Sequence, residues 1–463
     1  MTSLSRQLAR WVTGLRYGDL PPEVIDRAKG VTLHCVSSIL LGSQTQPGRN
    51  AVELIRQDEA GVHRGATIMV DGGTATRGGA AFANSEMAFA GGKWDTFRML
   101  VHPGTSVIPG AFAATEATGA SGEEFVTAIV AGYEVMERLA ADFIPTLMAR
   151  GFHASPVFGI FGAAVAAAKI FRLSEDEVNS AIALCASMAC GNIEGARGNG
   201  HALREGVAVR NAMFAVALAR QGHRGGDTVL EGDAGFYHSY VGNNQGHLTH
   251  SFVGETRTNL DKITADLGKT WILLETLYRI YSITGYNIAH IDLTAKLCEE
   301  MDILYEDVER IEAVVNWLET QYPSPAFPSR REDKIHKPGS TSYHLAYAVV
   351  KRGFPILHAW PGQAAADDPP EVLELMTRVT IIPSHTMTLF GPRITIFTKN
   401  GKSHTIQGTG YEFIWDFNEE ARRIREITPG LPISPAQFEA IIQSCGDLPR
   451  ENRADALVKL TLK

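Results

Sequence analysis

The sequence predicts a mainly α fold with an inserted α+β domain: a large all-helical domain plus a smaller α+β lid domain. Three observations carry this. Residues 1–265 run helix after helix, with apolar positions at helical spacing. From about 266, short β-branched runs alternate with helical stretches. Near the end, Ser434-Pro435-Ala436-Gln437 starts a helix again. The expected division is a helical domain over 1–265, an α+β lid domain over 266–410, and a C-terminal segment, 411–463, that returns to the helical domain.

Taken in order, Leu4, Leu8, Trp11 and Leu15 share a face and predict a packed first helix. This stretch lacks a long apolar core with a small-residue cleavage site, so it does not read as a signal peptide. Arg6, Arg10 and Arg16 precede the first acid, Asp19, which leaves a mitochondrial presequence open. Pro21-Pro22-Glu23 opens a helix with apolar positions Val24, Ile25, Ala28, Val31, Cys35 and Ile39, and Gly42 follows it. Residues 67–70 read as a short strand turning at Asp71-Gly72. Ser121-Gly122-Glu123-Glu124 and Ser174-Glu175-Asp176-Glu177 carry the capping-box pattern. The most apolar runs, 154–168 and 178–193, are short for a bilayer span and rich in small residues, which predicts buried core helices and no membrane partner. Further on, 311–317, 378–382 and 392–398 read as strands, with helices at 288–300 and 340–351. Asn400-Gly401 marks a hairpin between 394–398 and 405–407. The segment 322–339, with four prolines and a charged patch at 330–334, is long enough to suspect a functional lid.

Composition narrows the class. At 463 residues, two domains are the first expectation, and 44% apolar with 20% charged residues is the balance of a globular protein with a large core. A net charge of −8 without a basic stripe argues against nucleic acid. Cys35, Cys185, Cys190, Cys298 and Cys445 form neither a C-x-x-C pair nor a zinc-spaced cluster, so reduced thiols in a cytoplasmic protein are expected. No phosphate-binding, kinase or nucleophile-elbow motif occurs, and the glycines at 72–79 and 195–200 lack the strand-turn-helix setting of a nucleotide site. His238 with Asp233, and His247 with His250, read as solvated loop histidines rather than ligands. The basic turn at 220–224 reads as a helix C-terminal cap.

Two segments carry chemistry. His102-Pro103-Gly104-Thr105-Ser106 precedes the helix bearing residues 111–117, and Gly151-Phe152-His153 precedes a small-residue helix that runs on to Lys169. Each histidine reads either as a polar residue closing a helix start or as a base held neutral by the helix dipole, beside N–H groups that can hold an anion.

In order along the chain stand Gly79-Ala80-Ala81-Phe82-Ala83-Asn84, Asp95-Thr96 with His102-Pro103-Gly104, and Gly151-Phe152-His153. Leu203-Arg204-Glu205-Gly206 and Leu230-Glu231-Gly232-Asp233-Ala234-Gly235-Phe236 follow. As a set they resemble the MmgE/PrpD family of 2-methylcitrate dehydratase, cis-aconitate decarboxylase and iminodisuccinate epimerase, over almost the whole chain. The resemblance implies a helical domain and a lid domain with a site between them, a homodimer, and neither metal nor organic cofactor. It further implies a small-molecule carboxylate substrate and proton transfer next to a carboxylate. Under it, His153, His102, Tyr343 and His201 are the catalytic candidates, and Thr96, Asp95, Arg204 and Arg279 the substrate-binding ones. The chain also departs from the pattern. The acidic run before the threonine is Gly92-Lys93-Trp94-Asp95. His201 and Arg279 stand where lysines are usual, and Ile288 stands for a histidine, although Asp292 is kept. Arg204 could instead pair with Glu205, Asp95 could cap a helix, and Tyr343 could be a core tyrosine.

The expected function is a lyase. Dehydration of a polycarboxylate other than 2-methylcitrate comes first, then epimerisation by two opposed bases, then decarboxylation. A catalytically inactive carboxylate-binding homologue is the alternative of a different class.

Overall fold

The computed structural model describes residues 2–59, 61–62, 65–197, 200–281, 283–322, 324–327, 336–354 and 368–463, with side chains omitted over 196–203. The charged patch at 330–334 and the side chain of His201 therefore lie outside the described residues. The chain divides into two compact units. The first comprises 1–247, 257–280 and 415–463, and the second comprises 248–256 and 281–414.

The first unit is helical. Its helices are α1 Leu4–Gly14, α2 Pro22–Gly42, α3 Gln46–Glu59, α4 Arg77–Ala90, α5 Pro103–Thr118, α6 Gly122–Ala140, α7 Ile144–Ala149, α8 Ala154–Ile170, α9 Glu175–Met188, α10 Gly200–Arg220 and α11 Phe236–Val241. Two short antiparallel pairs accompany them: β1 Ala66–Thr67 with β2 Thr74–Ala75, and β3 Trp94–Thr96 with β4 Leu277–Arg279. In the second unit lie α12 Gly285–Glu300, β5 Val308–Asn316, α13 Thr341–Lys351, α14 Pro370–Met376, β6 Val379–Ser384, β7 Arg393–Thr398 and β8 Ser403–Gln407. The chain then re-enters the first unit with α15 Phe417–Ile424, α16 Pro435–Gly446 and α17 Ala456–Leu460.

Helix α8 is apolar all round and almost wholly buried, as such a helix must be. Its small residues let backbones meet: a Cβ on Gly162 would stand 2.8 Å from Val107 Cγ2 on α5 and 3.0 Å from the Gly132 carbonyl on α6. Both predicted capping boxes form, at Ser121 and Ser174. The predicted strand at 67–70 is only two residues long. Met69 N–H donates to Asn84 Oδ1 and Val70, at φ 68°, donates to Thr461, so the backbone leaves the ladder. The C-terminal return is anchored by Glu420. This buried carboxylate meets His34 Nδ1 at 2.7 Å and accepts from Trp415 Nε1 at 2.9 Å.

In the second unit a mixed sheet runs β6-β5-β7-β8, with β5–β6 parallel and the other pairs antiparallel. Strand β5 alternates, so Ile311, Ala313 and Val315 join Leu345, Val349, Leu375, Ile394 and Ile396 in one core. Asn400-Gly401 makes the expected β7–β8 turn, with Gly401 at φ 82°.

The units meet the chain at 280/281 and 414/415, where the sequence texture suggests 265/266 and 410/411. Residues 266–280 show no helical periodicity, yet buried acids and bases of the helical unit hold them. Arg138 donates to the carbonyls of Ala265 and Thr270, Leu273 N–H donates to Glu134, and Thr276 donates to Glu137. Among the described residues no helix is long and apolar enough to cross a membrane.

Candidate active site

His102 and His153 occupy the N-cap positions of α5 and α8, and both are buried. Neither side chain caps its own helix. At α5 that task falls to Asp95, whose two carboxylate oxygens accept from Gly104 N–H at 2.9 and 3.1 Å and which also accepts from the Tyr133 hydroxyl. Burial pushes the Asp95 carboxyl up, and the Tyr133 hydrogen bond opposes the shift. Asp95 thus positions the helix that carries His102, and its carboxylate is spent on backbone and tyrosine.

His102 is fixed by its neighbours. Its Nδ1 lies 3.1 Å from the Asp95 carbonyl and 3.2 Å from Thr96 Oγ1. A carbonyl only accepts, so Nδ1 carries the proton and Nε2 is the ring atom able to take one. The ring sits 4.7 Å from that of Trp94, which also stacks on Phe89 at 4.6 Å. The guanidinium of Arg279 lies 4.5 Å from the Trp94 ring. The strand pairing Trp94↔Arg279 brings these residues together across 185 positions of chain, from β3 to β4. Tyr278, between them in sequence and wholly buried, fits because α2 has Gly30 beneath its hydroxyl, where a Cβ would clash.

His153 stands at a short antiparallel bridge. Its N–H donates to Gly191 O at 3.1 Å, and Ile193 N–H returns a bond to Gly151 O at 2.8 Å. Gly191 adopts φ 116°, a conformation open to glycine. Arg204 Nη1 donates to Asn192 O at 3.1 Å, which holds this cation beside the bridge. The two histidines are linked: His102 N–H donates to Ser155 Oγ at 3.1 Å, Ser155 donates to Glu205 Oε2 at 3.1 Å, and Glu205 Oε1 faces His153 Nδ1 at 3.9 Å.

Thr96, Asp95, His102, His153, Arg204 and Arg279 therefore all belong to the first unit. Tyr343 belongs to the second, where its hydroxyl donates to Asp368 Oδ1 at 2.7 Å. Burial and that carboxylate raise its pKa. Ile288 packs as a buried residue of α12. Two residues join the site that sequence reasoning did not assign. Glu205 is wholly buried, and burial lifts its carboxyl to about 7 against the pull of Arg204 and the hydroxyls of Ser155 and Ser106. Lys93 is 2% exposed, and burial, with Arg279 nearby, lowers its ammonium to about 7. It is a titratable amine in the segment that replaces the usual acids.

With two imidazoles, a protonatable carboxyl, an amine and two guanidiniums, the residues suit proton transfer on an anionic molecule. Residues 6–249 match the MmgE/PrpD N-terminal domain. The chain belongs to the MmgE/PrpD family. A cis-aconitate decarboxylase-like protein of Aspergillus oryzae is 29% identical over 313 residues, covering 64% of this chain and 61% of that protein. A cis-aconitate decarboxylase of Aspergillus terreus is 22% identical over 305 residues, 64% of this chain and 60% of that enzyme. The human cis-aconitate decarboxylase is 28% identical over 245 residues, 51% and 50% respectively. The chain thus spans half to about three fifths of the length of these curated relatives.

Proposed function

We propose that this protein is a lyase acting on a small unsaturated polycarboxylate by decarboxylation, with its own side chains as acid and base. The observation that carries the reading is the pair of buried histidines at the N-termini of α5 and α8, joined through Ser155 and Glu205. Loss of CO₂ from a carbon next to an unsaturated acid leaves a carbanion delocalised into the remaining carboxylate. That intermediate needs cations against its oxygens and one proton returned to carbon. Arg204 and Arg279 have the charge and fork geometry for carboxylates. His153 as imidazolium supplies the proton, and His102, once protonated at Nε2 as well, donates to a substrate carboxylate.

Dehydration makes a further demand, an acid for the departing hydroxyl. Tyr343, the family-implied candidate, donates to Asp368 and has a raised pKa, which weakens it in that role. The names of the matched relatives favour the same choice, since all three are decarboxylases or decarboxylase-like. Two opposed bases would equally serve epimerisation, which leaves its own signature.

The purified protein is incubated in D₂O with cis-aconitate and a panel of hydroxy- and imino-dicarboxylates. The expected outcome is CO₂ release from the unsaturated acid, with one deuterium in the product, and loss of at least about 10²-fold in rate in His153→Ala. Water loss without CO₂ would establish the dehydratase instead, and α-deuteration without either loss the epimerase. No turnover, together with a His153→Ala variant that behaves like the parent in cells, would point to an inactive carboxylate-binding protein.

A further inference from the structure

We propose that Glu205 is the positioning residue of the acid–base pair, holding and charging His153 through its Nδ1 side while Nε2 serves the substrate. The inference rests on the lyase reading for its purpose, but its geometry does not. Glu205 lies on α10 one residue after Arg204, and its side chain is wholly buried. Oε2 is held by the Ser155 hydroxyl at 3.1 Å, and Ser155 in turn holds the backbone of His102. Oε1 makes no hydrogen bond of normal geometry among the described residues; the Ser106 hydroxyl faces the carboxylate, and His153 Nδ1 lies 3.9 Å from Oε1. A buried carboxylate oxygen left at that distance from an imidazole nitrogen is poised rather than satisfied, because a bond of normal length forms when the ring gains its second proton and the two groups close by about 1 Å.

The chemistry balances without any further reagent. In the resting pair one proton is shared between two groups. When His153 gives its Nε2 proton to the carbanion, the ring becomes neutral, and the negative charge of Glu205 is then opposed by Arg204 and the two serine hydroxyls. A proton from solvent restores the imidazolium, and Glu205 as carboxylate stabilises it. If the enzyme instead removes a proton, the same carboxylate stabilises the imidazolium that forms.

The charged and titratable groups facing Glu205 come from four elements and a loop: Arg204 on α10 itself, Glu86 on α4, Ser106 and His102 at α5, His153 and Ser155 at α8, and Cys190 before the 191–193 bridge. Glu86 is occupied by Gly206 N–H at 2.6 Å, and its carboxyl is pushed well up by burial. Cys190 is raised likewise. Neither of the two is a stronger partner for His153.

The test is Glu205→Gln in the full-length protein, which keeps the shape and the acceptor for Ser155 but removes the charge. Ring-labelled histidine resonances are followed by NMR from pH 5 to 9, with His153→Ala assigning the signal. The expected result is a fall of about one pH unit or more in the His153 titration midpoint, with Glu205→Asp restoring part of it. Turnover of the substrate found above should fall about 10- to 100-fold in kcat with KM nearly unchanged, and the pH profile of kcat should move with the NMR midpoint. An unmoved His153 midpoint overturns the proposal whatever the activity does. A moved midpoint in a protein that turns over no carboxylate upholds the pairing and overturns the lyase reading instead. If Glu205→Gln does not fold, Ser155→Ala takes its place: freeing Oε2 should raise the His153 midpoint, and an unchanged midpoint overturns the pairing.

Discussion

Lys93 shows how a single residue changes meaning with burial. In sequence it is an ordinary lysine after two glycines, counted only as the loss of an acid. In the fold it is 2% exposed and its ammonium is lowered to about 7 by burial and Arg279. A depressed pKa means that the folded state prefers the neutral amine, so this group costs nothing above about 10.5. It costs progressively more as pH falls to 7 and a constant amount below that. Lys93→Met should therefore raise the stability of the helical unit by about 2–4 kcal/mol at pH 6 and by little at pH 10.5. Thermal unfolding of both proteins across that range measures it. His102 and His153 were legible for the opposite reason, since a histidine before a proline or small-residue helix announces its place from local sequence alone. Glu205 was not, because Glu after Arg on a helix reads as a surface ion pair until α4, α5 and α8 close around it. Asp95 was legible only as a choice between two roles, and its bonds to Gly104 and Tyr133 show the capping one.

At the scale of elements, the site is as accurate as the seating of α5 and α8, and glycine decides that seating. The α6–α8 crossing brings Gly132 and Gly162 together, with Val107 of α5 against both. A side chain on Gly162 has backbone, not a flexible tip, in its way at 3.0 Å. Gly162→Val should cost about 3 kcal/mol, at the upper end for overpacking, measured by urea denaturation. Because α8 would have to shift, the same variant should lose activity that His153 alone does not explain. The small-residue character of 154–168 was plain in the sequence, and it correctly implied a buried helix. Which helices it meets was not plain, because the partners' glycines, such as Gly132, carry no mark that pairs them with Gly162. The β3–β4 pair was equally invisible. Three residues give no alternation to read, and their partners lie far along the chain.

At the scale of the whole molecule, the fold class and the helical return after the insertion were readable from the switch of periodicity. The exact boundary was not, because 266–280 is held to the helical unit by polar contacts with Glu134, Glu137 and Arg138 rather than by an apolar stripe. Buried groups in the second unit answer pH differently from Lys93. In the second, His290 donates from Nδ1 to the Tyr286 carbonyl at 2.6 Å, and its Nε2 lies 3.7 Å from Glu319 Oε2. Glu319 accepts from Phe390 N–H at 2.8 Å. Burial lowers His290 to about 3 and raises Glu319 to about 8, so the pair is neutral across most of the range between. A raised carboxyl pKa stabilises the fold fully below about 4.5 and is lost as pH climbs through 8. A depressed imidazole pKa stabilises it above about 6.5 and is lost as pH falls toward 3. The two limbs leave an optimum for this pair's contribution between roughly pH 4.5 and 6.5, whereas the contribution of Lys93 in the helical unit grows as pH rises from 7. Glu319→Gln keeps an acceptor for Phe390 and abolishes the alkaline limb only. Hydrogen exchange followed by mass spectrometry should then show slower exchange of β5 and β7 amides in the variant at pH 8, after correction for intrinsic rates, equal exchange at pH 5, and no change in α5 and α8 at either. Equal protection of β5 and β7 at pH 8 would mean that Glu319 is ionised in the folded unit.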